Sequence, residues 1–350
     1  MSTADRDLAI RCVADACRVA RAVQRDLASV QEVLKDDRSP VTVADYAVQA
    51  IVALALAEGD SETPMVGEED ADGLRGPDRR PLLEQVLAAV QRVRPDATAE
   101  MVLAAIDRGD HDATGERFWT LDPVDGTKGF LRNQQYAIAL ALIDGGRPTV
   151  GVLGCPNLSA SPDDPADEVS GTGSLFAATL GGGTWLFPGA DPDADPQPVH
   201  ASAGPAEADA TAATAASDPA ARPPIRICES VEKAHSNQSD AARIVAELGG
   251  DPTPVRLDSQ CKYAVVARGQ ADAYLRLPTR PGYVERIWDH AAGMLVASEA
   301  GARVTDVTGR PLEFTHGRGL EANRGVVCAR ADVHPGIITA IERLGLAASG

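Results

Sequence analysis

The chain has 350 residues, 44% of them hydrophobic, and a formal net charge of −18. That length buries a large core and divides into two lobes, and that charge excludes general binding to nucleic-acid polymers, which needs a basic face. No apolar run reaches the ~18 residues of a membrane span, the N-terminus has no apolar signal core, and cysteines 12, 17, 155, 228, 261 and 328 show no paired metal spacing, so a cytoplasmic protein with reduced thiols and no membrane partner is expected.

Taken in order, Leu8, Val13, Ala16, Val19, Val23, Leu27, Val30 and Leu34 recur mostly at three- and four-residue steps, which predicts an amphipathic helix over 5–34. A turn over 35–40 leads to a second helix over 42–58. Thr42 and Asp45 have roughly the spacing of a capping box, which is one reading of Asp45. A short strand over 63–66 feeds Gly67-Glu68-Glu69-Asp70, and three consecutive acids after a strand are costly unless solvated or bound to metal. A helix over 80–93 and a polar connector over 96–116 follow.

A hydrophobic strand over 118–121 then delivers Asp122-Pro123-Val124-Asp125-Gly126-Thr127. Two carboxylates cannot comfortably sit side by side unless a cation neutralises them. Oxygen ligands without His or Cys favour Mg²⁺, Ca²⁺ or Mn²⁺ over zinc. The Gly-Thr step leaves backbone N–H groups free for an anion. An Asp-Pro-x-Asp-Gly turn on the surface is the other reading, because these are turn residues anyway.

Runs over 136–143 and 148–153, joined by Asp144-Gly145-Gly146, predict a hairpin, and runs over 174–180 and 184–187 repeat it around Gly181-Gly182-Gly183. An antiparallel-rich sheet follows, with an acidic loop over 159–170. The stretch 188–224 is mostly Ala, Pro and Asp, with six acids against one arginine, and reads as a flexible segment. It separates an α+β lobe, 1–187, from an α/β lobe, 225–350. In the latter, strands over 225–228, 255–257, 273–277, 304–306 and 325–329 alternate with helices over 237–248, 259–268, 289–300 and 335–345. By position alone Asp289 reads as an N-cap, Lys262 as a snorkelling lysine and His235 as a loop residue. Lys128 reads equally as a phosphate contact or a solvated lysine. Arg276, between Leu275 and Leu277 in a strand, asks for a buried anion.

Three phrases, Val66-Gly67-Glu68-Glu69-Asp70, Asp122 to Arg132, and Trp288-Asp289-His290-Ala291-Ala292-Gly293, together resemble the lithium-sensitive, magnesium-dependent phosphatase superfamily. That group includes inositol monophosphatase, fructose-1,6-bisphosphatase and the 3'(2'),5'-bisphosphate nucleotidases. The phrase Asp122 to Arg132, with Glu232-Lys233-Ala234-His235-Ser236 and Leu257 to Tyr263, is most similar to the nucleotidase branch, which acts on adenosine 3',5'-bisphosphate (PAP). Asn133 stands where a glycine is usual, and the 159–170 and 188–224 loops have no counterpart in the pattern.

The resemblance implies a five-layered αβαβα sandwich of the sugar-phosphatase type, with the active site between the lobes. It implies that Glu68, Asp122, Asp125, Asp289 and the Val124 carbonyl hold two or three Mg²⁺, with Glu69 farther out, and that Asp45 and Thr127 activate the attacking water. Lys262 and Arg276 would meet nucleotide phosphate, and His235 and Ser259 the nucleotide moiety. The substrate would be PAP, converted to AMP and phosphate, and also PAPS. Inhibition by Li⁺ and a housekeeping role in sulfate assimilation come with it, in a monomer or homodimer. An inositol-phosphate phosphatase (monophosphate or 1,4-bisphosphate) is the alternative enzyme. A PAP-binding sensor is the non-enzymatic one, against which the intact Asp45, Glu68, Asp122, Asp125, Thr127 and Asp289 speak.

Overall fold

The computed structural model describes residues 3–30, 39–201, 224–232, 237–251, 253–280 and 282–347. The first helix is α1 (Thr3–Val30); the end expected for it, over 31–34, lies outside the described residues. Helix α2 (Ser39–Gly59) starts earlier than expected, with Pro40 in its first turn, where a missing N–H breaks no helical bond. Thr42 therefore lies inside the helix, and the capping-box reading of Thr42 and Asp45 falls. Then come β1 (Met65–Gly67), α3 (Arg80–Gln91), α4 (Ala99–Asp107), β2 (Arg117–Asp125) and α5 (Thr127–Leu131). The stretch expected to be a polar connector thus contains a helix. The Thr98 side chain caps α4 by accepting from the Met101 N–H, and Val102, Ala105 and Ile106 are its buried face.

The sheet continues through β3 (Ala137–Asp144), β4 (Arg147–Cys155), β5 (Ser174–Thr179), β6 (Gly183–Pro188) and β7 (Gln197–Val199). Its seven strands lie in sequence order, β1 parallel to β2 and all other neighbours antiparallel. Strand β7 belongs to the stretch expected to be flexible; it pairs with β6, and residues 202–223 lie outside the described residues. The second half runs β8 (Ile227–Glu229), α6 (Gln238–Glu247), β9 (Val255–Arg256), α7 (Cys261–Ala267), β10 (Ala273–Arg276), α8 (Ala291–Glu299), β11 (Ala302–Thr305), β12 (Val326–Arg330) and α9 (His334–Arg343). These five strands form a mixed sheet in the order β11-β12-β10-β8-β9.

Side-chain alternation along the strands sorts the apolar residues into layers. On β3, Ile138, Leu140 and Leu142 join α1 and α2 in one core, while Ala137, Ala139 and Ala141 face α8 in a second. On β12, Val326 and Cys328 complete that second core, and Val327 and Ala329 pack with α6 and α9 in a third. The result is helices, sheet, helices α7 and α8, sheet, helices: five layers, αβαβα. The middle layer is tight because glycines line it. A Cβ on Gly151 would come within 2.9 Å of the Ala292 carbonyl, and one on Gly293 within 2.3 Å of the Tyr263 ring. No helix among the described residues is long and apolar enough to cross a membrane.

Candidate active site

Two residues three apart on a regular strand point to opposite faces. Asp122 and Asp125 escape that rule because β2 bulges between them: Asp122 pairs with Ala139 and Asp125 with Ala137, so three steps on β2 answer two on β3. Both carboxylates thereby face the middle layer, while Val124 is buried in the opposite core. The chain then turns through Gly126, at φ +87°, into α5. A side chain at Gly126 would be strained by that φ and would come within 2.9 Å of the Ser259 Cβ. The Thr127 hydroxyl donates to the Val124 carbonyl at 3.3 Å. Asn133, where a glycine is usual, has φ +54°, a left-handed conformation that asparagine tolerates better than most residues.

Glu68 leaves the end of β1 beside this turn. Its loop is held from α2 by Gln49, whose amide donates to the Glu69 carbonyl at 2.6 Å and accepts from the Glu69 N–H at 3.0 Å. Gly67 is required there, since a Cβ would lie 2.5 Å from the Gln49 side chain. Asp45, also on α2, is 7% exposed. Asp289 enters from the other half of the molecule, just before α8. Gln260 ties these parts together. Its backbone N–H donates to Asp125 at 2.6 Å, its side chain donates to the Trp288 carbonyl at 2.9 Å and accepts from the Gly293 N–H at 3.0 Å.

Glu68, Asp122, Val124, Asp125, Thr127 and Asp289 line one cavity of about 420 Å³. Its carboxylates crowd one another electrostatically. Burial, then Glu68, Asp125, Asp289 and Asp45, push the Asp122 carboxyl well above the carboxylate range. Burial, then Glu69 and Glu68, do the same to Asp45. Glu68 opens to the cavity, yet the protein around it and the charges of Asp289, Glu69 and Asp125 push it up to about 8. Asp125 rises too, by burial and Asp289, against the pull of Lys262 and the Gln260 N–H. One oxygen of Asp122 is buried without a hydrogen-bond partner. Clustered carboxylates with an unsatisfied oxygen and no His or Cys donor among them fit a hard divalent cation, which would relieve both penalties.

Glu285, Asp289 and His290 also bring ligand atoms within 4.8 Å of one another, but two of the three are engaged elsewhere. Arg276 grips Glu285 with two nitrogens, at 2.9 and 2.7 Å, and reaches Asp289 at 3.5 Å. His290 bonds the Tyr263 hydroxyl at 2.8 Å. Burial works against the Glu285 charge, but Arg276 and His290 outweigh it and hold the carboxyl down at about 2. The group is therefore a buried scaffold behind Asp289. The anion that Arg276 asks for is present as Glu285, and Arg276 still lines the cavity.

Lys262 is 4% exposed, which rules out a snorkelling surface lysine. Its Nζ donates to the carbonyls of Ser259 at 2.6 Å and Leu257 at 3.2 Å and lies 5.2 Å from the Tyr274 ring centroid. Burial lowers its pKa against the opposing charges of Asp125 and Asp258. Ser259 sits beside it at φ +70°, a strained conformation for serine, with its hydroxyl accepting from the Cys261 N–H. Lys128 is exposed and pairs with Glu232 at 2.8 Å, as does Arg132. His235 lies outside the described residues. Gln49, Gln260 and Glu285 have no signal in the sequence except that a strand arginine needs an acid, and Glu285 is nine residues downstream.

The model of the inositol monophosphatase family matches residues 2–346. The chain is similar to the 3'(2'),5'-bisphosphate nucleotidases of Schizosaccharomyces pombe, 38% identical over 96% of this chain and 94% of that protein, and of Oryza sativa, 39% identical over 95% and 92%. A Candida albicans 3'(2'),5'-bisphosphate nucleotidase 1 is 38% identical over 89% and 86%. Among solved structures, Mycobacterium tuberculosis SuhB superposes with a TM-score of 0.56 at 19% identity, covering 97% of this chain and 96% of that one. An inositol monophosphatase from Anabaena gives 0.59 at 18% identity, over 97% and 95%. At such identities these structures speak to the fold alone.

Proposed function

The chain belongs to the inositol monophosphatase family, a family of metal-dependent phosphatases, and from that premise we propose that it is a 3'(2'),5'-bisphosphate nucleotidase. It removes the 3'-phosphate of PAP to give AMP and phosphate, and accepts PAPS. The observation that carries this reading is a single cavity lined by the carboxylates of Glu68, Asp122, Asp125 and Asp289 together with two cations, buried Lys262 and half-buried Arg276. Such a cavity suits a substrate with one phosphate that leaves and another that stays. The names of the relatives support the choice of nucleotide over inositol phosphate.

Glu68, Asp122, Asp125, Asp289 and the Val124 carbonyl would hold two or three Mg²⁺, which when bound supply an activated water and charge stabilisation for the departing oxygen. Asp45 takes the proton of the attacking water; its burial raises its proton affinity, which suits a general base. Thr127 orients that water. The new bond forms between phosphorus and the water oxygen, the bond to the ribose O3' breaks, and no phosphoenzyme forms. Lys262 and Arg276 bring positive charge to the cavity for the nucleotide phosphate, and Ser259 and His235 bind the nucleotide. A reducing, cytoplasmic setting agrees with six free, buried cysteines.

The test is phosphate release from PAP and from inositol 1-phosphate, side by side, in Mg²⁺ with and without millimolar Li⁺. Turnover of PAP that Li⁺ suppresses, with little release from inositol 1-phosphate, is the expected result. The reverse preference would overturn the nucleotide assignment and the roles of Ser259, Lys262 and Arg276.

A further inference from the structure

We infer that Arg318 is a positioning residue: it fastens the backbone just before Glu68 to the side chain just before Asp289, and so fixes the separation of two cage carboxylates that come from different halves of the molecule. This rests on the cage proposed above, and Arg318 itself is not among the residues that line the cavity. Glu68 follows β1, the edge strand of one sheet, and Asp289 precedes α8. The Asp289 charge is the first of those that push the Glu68 carboxyl up. Like charges so placed repel, and their two loops move apart unless something holds them.

The Arg318 guanidinium donates to the Gly67 carbonyl. It also lies 5.0 Å from the centroid of the buried Trp288 ring, a cation–π distance. Each contact falls on the residue immediately before a cage carboxylate. The loop that carries Arg318, between β11 and β12, is bound to the segment that leads into Asp289. The Leu320 N–H donates to the Glu285 carbonyl at 2.8 Å, and the Ile287 N–H donates to the Arg318 carbonyl at 3.2 Å. Gly317, at φ +75°, turns the loop, and a Cβ on Gly319 would come within 2.9 Å of the Val284 side chain. Arg318 and the Asp289 turn therefore form one unit, and the bond to Gly67 ties that unit to β1. Arginine suits the task because its flat, forked guanidinium stacks on a ring and donates in its own plane at once, which a lysine cannot do.

The test is calorimetric titration of Mg²⁺ into substrate-free protein, with the melting temperature in chelator, for the wild type, Arg318→Ala, Arg318→Met and Arg286→Ala. Arg318→Ala and Arg318→Met are expected to weaken Mg²⁺ binding about 10- to 100-fold, the usual loss when a group that orients a metal ligand is removed. The methionine keeps apolar cover on the Trp288 ring and has no donor for Gly67, so it separates the tie from packing. Arg286 places a second guanidinium 5.7 Å from the same ring, and Arg286→Ala is expected to change Mg²⁺ affinity by no more than about threefold. Wild-type Mg²⁺ affinity in Arg318→Ala or Arg318→Met, whatever the melting temperature, overturns the positioning role. An equal loss in Arg286→Ala overturns it too, since any cation over Trp288 would then serve. A wild type that binds no Mg²⁺ overturns the cage itself, and the role of Arg318 with it.

Discussion

At Glu68 the surrounding protein and the charges of Asp289, Glu69 and Asp125 lift a carboxyl from 4.5 to about 8. The sign of its effect on stability follows by linkage. Below pH ~4.5 the group is protonated folded and unfolded, and its contribution is intact. Between ~4.5 and ~8 the unfolded chain gives up the proton while the folded one retains it, so stability falls as pH rises. Asp122, also raised, adds in the same direction. Metal-free protein should therefore melt progressively lower from pH 5 to pH 8, and Mg²⁺ should remove most of the slope. A flat melting profile in chelator would mean that these carboxylates do not crowd one another. Asp45 makes a separate prediction. Asp45→Asn should lower kcat for PAP by ~10²- to 10⁴-fold, with the affinity for PAP nearly kept; an unchanged kcat removes Asp45 from the chemistry. The residues that face the cavity were legible because they come in short phrases, as Asp122 to Thr127 does. Gln49, Gln260 and Glu285 were not, because each acts through a geometry of packed elements. Gln260 meets Asp125 across 135 positions of chain, and no local pattern announces that.

Among the elements, long periodic helices and glycine-punctuated hairpins could be read directly, and short elements could not. Helix α4 buries only Val102, Ala105 and Ile106, too few to show a period within a polar stretch. Strand β7 has three residues and owes its place to the β6 edge. The bulge in β2 is invisible as a pattern, although Asp-Pro at its centre is the kind of sequence that breaks a ladder. The middle layer is where an element-scale change should be felt most. Gly293 on α8 faces the Tyr263 ring of α7 so closely that an added methyl has no room. Gly293→Ala should cost about 1–3 kcal/mol by overpacking, read as a lower urea midpoint, and should shift Asp289 with α8. A variant as stable and as active as the wild type would show that the two helices separate freely.

Over the whole molecule, alternation of strands and helices in the second half and hairpins in the first was enough to anticipate layers, and the five-layered αβαβα arrangement follows from which face of each strand joins which core. The resemblance carried more of the site than the alternation did, since it put Asp122 and Asp289 in one cage, and both line one cavity, whereas no local pattern relates residues so far apart in the chain. Net charge is a poor guide to that cavity: a chain at −18 sets Lys262 and Arg276 among the acids that line it. The most direct measurement is the initial rate of phosphate release from PAP as Mg²⁺ is titrated, in the wild type and Asp122→Asn, with the nucleotide product identified. We expect AMP as product, no rate in chelator, and a loss of at least ~10²-fold in Asp122→Asn, as removal of a cage ligand requires. Release that proceeds without a divalent cation, or adenosine 3'-phosphate as the product, would contradict the assignment of the cage and of the phosphate that leaves.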